Sequence, residues 1–111
     1  MNVWIVLLAC IALEIVATSL LKASEGFSRP WFGMASMLCY FGCFWLLSAV
    51  LTRLPMGVAY AVWSGVGIVG ITLVGVVLFR QSLTVMQISF IGLILIGAVG
   101  LQLSTRPALV A

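Results

Sequence analysis

The chain has 111 residues, of which 65% are apolar and 6% are charged, and its formal net charge is +3. Soluble domains carry about 45–50% apolar and about 25% charged residues, so this chain has too few polar side chains to cover a water-soluble fold. Its basic residues are scattered singly between apolar segments, which excludes a nucleic-acid-binding patch and indicates that they orient the chain in a membrane.

Four apolar segments follow one another along the chain. They cover about residues 3–21, 31–51, 58–79 and 85–103, and each has close to the ~20 residues that a helix needs to cross a bilayer. A segment in lipid must satisfy its own backbone hydrogen bonds, which favours helices. We therefore predict an all-α membrane protein that forms a single domain over residues 1–111. No basic side chain precedes Lys22, so we expect the first segment to be a permanent span rather than a cleaved signal.

Glu14 is the only acidic or basic side chain inside the four segments, and it lies near the middle of the first. An acid at that depth costs at least ~2.5 kcal/mol, so it should face protein or a water-filled cavity. Burial disfavours the charged form of a carboxyl group, and such a group can hold either a proton or an organic cation. A neutral carboxyl that joins two helices is the alternative. The residues at helical spacings from Glu14 are Leu7, Cys10, Ala17 and Thr18.

The second and third segments carry aromatic pairs at helical spacing. Tyr40 and Phe44 are four residues apart, and Tyr60 and Trp63 are three apart, with Gly67 next along the same face. Aromatic faces attract cations without demanding hydrogen-bond geometry, so these rings together with the carboxylate predict a site for a bulky cation. The alternative for Tyr60 is an interfacial anchor, as is common for Tyr and Trp at membrane boundaries.

Two sets of glycines lie inside predicted helices. Gly65 and Gly67, near the middle of the third segment, predict either a hinge for alternating access or close helix packing. The fourth segment carries Gly92, Gly97 and Gly100. Small residues of this kind let helices approach closely, and we expect these three at a contact between subunits, although glycine is common in membrane helices generally.

The connections between segments are short, so we expect helices adjacent in the chain to pack as antiparallel neighbours. Arg53 and Arg106 then lie on one side of the membrane, and Lys22, Arg29 and Arg80 lie on the other. Two basic side chains against three is almost no bias, so both orientations should insert. Four helices alone cannot easily enclose a ligand-sized cavity. An antiparallel pair of copies is therefore expected.

Cys10, Cys39 and Cys43 are odd in number, lie in apolar segments, and have no histidine to complete a metal site. We interpret them as small side chains in the membrane and expect no metal and no cofactor. A catalytic site would also need parts that the sequence lacks, such as a histidine or a second acid in the membrane. The sequence therefore predicts a protein that is not an enzyme.

Several motifs resemble those of the small multidrug resistance family, and the resemblance extends over essentially the whole chain. They are LEIVAT at residues 13–18 followed by LK at 21–22, SEGF at 24–27, FWLL at 44–47, and PMGVAYAVWSGVG at 55–67. The resemblance implies four transmembrane helices per subunit, an antiparallel homodimer in the bacterial inner membrane, and export of quaternary ammonium and other hydrophobic cations in exchange for protons.

The resemblance also assigns roles to individual residues. Glu14 corresponds to the carboxylate that protons and substrate share. The aromatic substrate site corresponds to Tyr40, Tyr60 and Trp63, and the flexible motif of the third helix corresponds to Gly65 and Gly67. Trp4 occupies a substrate-site position at which the drug exporters commonly have tyrosine.

Two further positions depart from the commoner family pattern. Cys43 stands where a serine is often found near the binding site, and Arg80 stands where glycine usually opens the third connection. The residues that follow Glu14 and Trp63 resemble those of polyaromatic cation exporters more than those of guanidinium exporters. Three functions follow, in order of preference: a proton-coupled exporter of lipophilic cations, an exporter of guanidinium or polyamines, and a non-transporting subunit of a membrane assembly.

Overall fold

A computed structural model describes residues 2–105 and contains four α-helices. They are α1 (Val3–Ala23), α2 (Pro30–Val50), α3 (Met56–Leu78) and α4 (Val85–Ser104). Each helix is long and apolar enough to cross a membrane. The predicted all-α class with four spans is confirmed. Arg106, on which part of the orientation argument depends, lies outside the described residues.

Local chemistry explains where the helices begin. The Asn2 side chain accepts a hydrogen bond from the backbone N–H of Trp4 at 2.8 Å and so caps α1. Helix α2 begins at Pro30, whose fixed φ suits a first helical position and whose missing N–H costs nothing there. Thr84 and Gln87 form a reciprocal capping box at the start of α4.

The connection between α1 and α2 is a tight turn. Glu25, Gly26 and Phe27 have φ angles of 50°, 70° and 66°, in the left-handed region. The buried Ser24 hydroxyl accepts a hydrogen bond from the Phe27 N–H at 3.1 Å, and the Phe27 ring lies where a Cβ on Gly33 would be. This turn returns the chain and sets α2 antiparallel against α1.

The helices pack in the order α2–α1–α3–α4, with α1 between α2 and α3. Two buried hydrogen bonds link α1 to α2: the Ser36 hydroxyl donates to the Ala17 carbonyl at 2.7 Å, and the Cys43 thiol donates to the Cys10 carbonyl at 3.3 Å. Helices α1 and α2 therefore form one tightly joined pair, and α3 and α4 form a second.

The expectation that all chain-adjacent helices pack closely is wrong for α2 and α3, whose backbones make no extensive contact in the described chain. The reason is the aromatic side chains that lie between them. The ring centroids of Phe44 on α2 and Trp63 on α3 are 5.9 Å apart, so the helices meet through rings rather than through small residues. This leaves an open space between α2 and α3.

The protomer is flat, with principal extents of 45 × 35 × 18 Å. Helix α4 lies at one edge and leaves most of its surface exposed. A Cβ added at Gly92, Gly97 or Gly100 would meet no heavy atom within 4 Å. Since a helix with side chains is about 10–12 Å across, a layer this thin cannot enclose a ligand-sized cavity on all sides.

Candidate functional site

Glu14 projects from the middle of α1 into the space between α2 and α3. This space is a cavity of about 350 Å³ whose wall is mostly aromatic and aliphatic. The lining residues that the sequence predicted are Glu14, Tyr40, Phe44, Tyr60, Trp63 and Gly67. Among the residues that line this cavity, Glu14 is the single Asp, Glu, Lys, Arg or His residue. The structure therefore brings one carboxylate and four aromatic rings together in one protomer.

A short hydrogen-bond chain orients the Glu14 carboxylate. The Thr18 hydroxyl, one helical turn away, donates to Glu14 Oε1 at 3.0 Å. The Thr18 oxygen also lies 2.7 Å from the Tyr40 hydroxyl. Because the single Thr18 proton is used toward Glu14, Tyr40 is the donor in the second bond. The Thr18 hydroxyl, itself held by Tyr40 of α2, thus fixes Glu14 Oε1. Glu14 Oε2 accepts no hydrogen bond within residues 2–105 and is open to a ligand.

The four rings form a continuous aromatic wall. Tyr40 and Phe44 stack with centroids 6.3 Å apart. The Trp63 ring meets Phe44 edge-on at 5.9 Å and meets Tyr60 at 5.5 Å. Tyr60 is 62% exposed, so one end of the wall is open. Such a wall offers several ring faces to a delocalised cation held by the carboxylate.

Gly65 and Gly67 lie two residues apart on α3 but face different neighbours. A Cβ on Gly67 would lie 3.8 Å from Glu14 Oε2 and 3.9 Å from Trp63, so the glycine keeps the floor of the cavity open. A Cβ on Gly65 would lie 2.5 Å from the Cβ of Ala98, so that glycine permits close packing against α4. Helix α3 is continuous through both positions, and their role as a hinge stays a prediction.

Six other predicted site residues do not line this cavity in the protomer. One of them, Thr18, reaches it only through its hydrogen bond to Glu14. Cys10, Ala17 and Cys43 are fully buried between α1 and α2. Leu7 and Trp4 line a separate apolar cavity of about 200 Å³ between α1, α3 and α4. Their part in cation binding therefore stays a prediction for the assembled protein.

Helix geometry explains the difference. At about 100° per residue, Cys10 and Ala17 lie about 40–60° from Glu14 on one side of α1, and Leu7 and Thr18 lie about 20–40° away on the other. The first side packs against α2, and the second faces α3, where Leu7 and Thr18 each line a neighbouring cavity. Spacing alone puts all four residues near Glu14 but does not say which side the neighbouring helix covers.

Three lining residues were not singled out from the sequence: Ser64, Ile68 and Ile71. They follow Tyr60 at intervals of four, eight and eleven residues, so the helical periodicity that paired Tyr60 with Trp63 also marks this stripe. Within residues 2–105, the Ser64 hydroxyl has no hydrogen-bond partner. It is therefore available to a ligand.

The part of the chain that the structure describes contains no group of three or more His, Cys, Asp or Glu side chains that could hold a metal ion. The remaining described charges lie near helix ends. Glu25 and Arg29 form an exposed ion pair at 3.9 Å, and the Lys22 ammonium lies 5.5 Å from the centre of the Phe79 ring.

A family model described as Small Multidrug Resistance protein matches residues 2–94. The multidrug transporter EmrE of Escherichia coli (strain K12) is 42% identical over 106 residues, which cover 96% of both chains. The quaternary ammonium compound-resistance protein QacG of a Staphylococcus species (strain ST94) is 40% identical, over 86% of this chain and 90% of that protein. The guanidinium exporter of Yersinia pestis is 38% identical, over 92% of this chain and 98% of that protein.

The match extends through the helices that supply the carboxylate and the aromatic wall. Residues 2–94 include all of α1, α2 and α3, and the relatives cover most of the chain at identities well above those of chance similarity. The chain therefore belongs to the small multidrug resistance family of multi-pass bacterial inner-membrane proteins.

Proposed function

We propose that this protein exports large hydrophobic organic cations in exchange for protons. The single observation that carries the proposal is the Glu14 carboxylate in the wall of a cavity that is otherwise aromatic and aliphatic. A carboxylate supplies the countercharge, and the rings of Tyr60 and Trp63 supply faces that contribute about 0.5–2 kcal/mol each to cation binding. Bulk and delocalised charge are thus the features that this cavity selects.

Proton coupling follows from the use of one group for two ligands. The ionised Glu14 carboxylate attracts a cation, and the protonated carboxyl group does not. Each cation that binds therefore displaces a proton, and each proton that binds displaces a cation. A potential of 100 mV supplies about 2.3 kcal/mol per charge, and one pH unit adds about 1.4 kcal/mol per proton, so exchange of two protons for one monovalent cation sustains a steep outward gradient.

Assembly as an antiparallel homodimer is part of this proposal. The protomer is only 18 Å thick, and its cavity opens at Tyr60, so a second copy is needed to close the site. The exposed α4 face with Gly92, Gly97 and Gly100 fits a contact between copies, since its glycines are open to solvent or lipid. Two copies in opposite orientations would bring two Glu14 carboxylates to the shared space and supply the two protons.

The proposal is tested with the purified protein in liposomes, by measuring tetraphenylphosphonium binding and the protons that binding releases. Glu14→Gln cannot ionise, so we expect it to lose both signals while the oligomeric state stays unchanged. Glu25→Gln is the matched control. Glu25 is the other acid of the chain and lies in the connection after α1, where its carboxylate forms an exposed ion pair with Arg29, so its replacement should leave both signals unchanged.

Cation binding should weaken as the pH falls, because protons then compete for the carboxylate. Near-native binding by Glu14→Gln, with no change between pH 5 and pH 9, would refute the exchange mechanism. In that case a non-transporting role in a membrane assembly becomes the better explanation, since such a role does not require an ionisable group at this position.

A guanidinium exporter is the second candidate, and one observation favours it. The Ser64 hydroxyl lines the cavity without a hydrogen-bond partner in residues 2–105, and it could accept a hydrogen bond from a guanidinium N–H. Quaternary cations have no N–H to give. Competition of guanidinium with tetraphenylphosphonium at similar concentrations, and its loss in Ser64→Ala, would support this candidate over the first.

A further inference from the structure

A third cavity, of about 210 Å³, lies between the C-terminal ends of α1 and α3 and the connection that follows α3. Five of its nine lining residues have polar side chains. The polar residues that line it are Thr18, Ser19, Lys22, Thr72 and Gln81. The cation site described above uses only the first of them, so this cavity has no role yet. We call it the polar cavity.

The polar cavity lies next to the cavity that Glu14 and the four aromatic rings line, which we call the cation cavity. Thr18 lines the polar cavity, yet its hydroxyl donates to Glu14 in the cation cavity at 3.0 Å. Ile71 lines both cavities. Only one layer of side chains therefore separates the two spaces, and a hydroxyl group crosses that layer.

The other end of the polar cavity reaches the membrane surface. Lys22 lies in the last turn of α1 and is exposed, and Phe79 and Gln81 follow the last residue of α3. The distance is short, because at about 1.5 Å per residue Lys22 lies only about 6 Å along α1 from Thr18. The Gln81 N–H donates to the Gly75 carbonyl at 3.0 Å. This bond folds the connection between α3 and α4 over the end of α3, where it forms the rim of the polar cavity.

The hydroxyl groups inside the polar cavity can bind water. The Thr72 hydroxyl has no hydrogen-bond partner within residues 2–105. The Ser19 hydroxyl donates to the Ile15 carbonyl at 2.7 Å and keeps its lone pairs free. Water needs such polar partners to occupy a cavity in a protein interior, and the cavity volume allows several molecules.

We propose that the polar cavity is a proton route between the membrane surface and Glu14, separate from the opening through which organic cations pass. The inference rests on the proposed exchange function. On the way in, a hydronium ion in the polar cavity gives one proton to the Thr18 oxygen and becomes water, as the hydroxyl proton of Thr18 moves to Glu14 Oε1. Thr18 is a neutral alcohol before and after, and the carboxylate becomes a carboxyl group. Release runs in the opposite direction.

The side chains along the polar cavity are consistent with a route that protons use and organic cations do not. The Lys22 ammonium at the rim repels an organic cation, and the cavity offers that cation a single aromatic ring, Phe79, which the ammonium already contacts. Tyr40 and Tyr60 are the other titratable side chains beside the carboxylate, and both lie on the cation side. A cation can therefore enter between α2 and α3 while the proton that it displaces leaves past Thr18. The cation and the proton then do not share one opening.

The route is tested on the full chain in liposomes by rapid mixing with saturating tetraphenylphosphonium and a pH-sensitive dye. Thr72→Val removes the free hydroxyl at nearly constant shape, and Thr72→Leu also fills the cavity. Because the Thr72 hydroxyl has no partner to lose, both variants should fold. We expect proton release to slow several-fold in the first variant and at least tenfold in the second, with tetraphenylphosphonium affinity within twofold of the original.

Thr52→Val is the matched control. Thr52 lies in the connection after α2, donates to the Ala49 carbonyl at 2.7 Å and lines neither cavity, so its replacement should change neither rate nor affinity. Unchanged release rates in both Thr72 variants would overturn the route. A parallel loss of affinity and rate would also overturn it, because the two cavities would then be one compartment. If the unmodified protein releases no proton at all, the exchange function itself fails.

Discussion

Replacement of Gly67 by alanine should separate cation binding from folding. A Cβ at this position would lie 3.8 Å from Glu14 Oε2 and 3.9 Å from Trp63, which are ordinary van der Waals distances. The methyl group therefore fits the empty protomer without strain. It would, however, occupy the space between the carboxylate and the Trp63 ring, where a bulky cation must touch both.

The expected size of the effect follows from overpacking. Forcing an extra methyl group into an occupied site costs about 1–3 kcal/mol, which at about 1.4 kcal/mol per tenfold weakens tetraphenylphosphonium binding by roughly 5- to 150-fold. Gly65→Ala is the matched comparison on the same helix. Its Cβ would lie 2.5 Å from the Cβ of Ala98, about 1 Å inside the favourable carbon–carbon distance, so this variant should lose stability instead. The gain in helix propensity, about 1 kcal/mol, is common to both variants and cancels in the comparison.

The measurements are the dissociation constant of tetraphenylphosphonium and the midpoint of unfolding in detergent. Gly67→Ala should lose affinity and keep or slightly raise its midpoint, and the double variant Gly65→Ala with Ala98→Gly should recover the midpoint that Gly65→Ala loses. Native affinity in Gly67→Ala would refute the reasoning. If affinity stays native but exchange slows, the glycine acts as a hinge rather than as the floor of the cavity.

Trp63→Ala should weaken tetraphenylphosphonium binding by about 0.5–2 kcal/mol and guanidinium binding by less; equal losses in a competition assay would assign Trp63 to the fold instead. Arg80 has a φ of 55°, a conformation that usually selects glycine at helix ends, so Arg80→Gly should raise the free energy of unfolding by about 1 kcal/mol. A lower unfolding midpoint would contradict that account. Because basic residues are nearly balanced between the two sides of the membrane, a C-terminal reporter should give signals from both sides. Several added lysines in one connection should select a single orientation. A one-sided signal from the unmodified chain would remove the sequence support for an antiparallel pair.

Much of the cation cavity could be predicted from residue spacing. Glu14 is conspicuous because no other acid or base lies inside a span, and the pairs Tyr40–Phe44 and Tyr60–Trp63 follow from the helical repeat. The four spans were predictable for the same reason, since lipid leaves a helix as the simplest way to satisfy the backbone. Each of these features depends on one helix at a time.

Features that depend on two helices were harder to predict. The chain gives no sign that α1, rather than α2, packs against α3, and this order decides that Thr18 lies beside α3 and that Cys10 and Ala17 are buried against α2. Similarly, Gly65 and Gly67 look equivalent in the sequence, and only the position of α4 separates them. Side-chain periodicity defines the faces of a helix, and tertiary packing decides which neighbour each face meets.

The packing order also has a mechanical consequence. One stiff unit consists of α1 and α2, tied by the buried Ser36 and Cys43 hydrogen bonds, and the other consists of α3 and α4. Between them, α1 contacts α3 along a seam on which Glu14 and Gly67 face each other. Under the proposed exchange function, rocking of one helix pair against the other about this seam would change the width of the gap between α2 and α3 most and the surroundings of the carboxylate least. Glu14 would then keep its contacts with a bound cation while the opening between α2 and α3 widens and narrows.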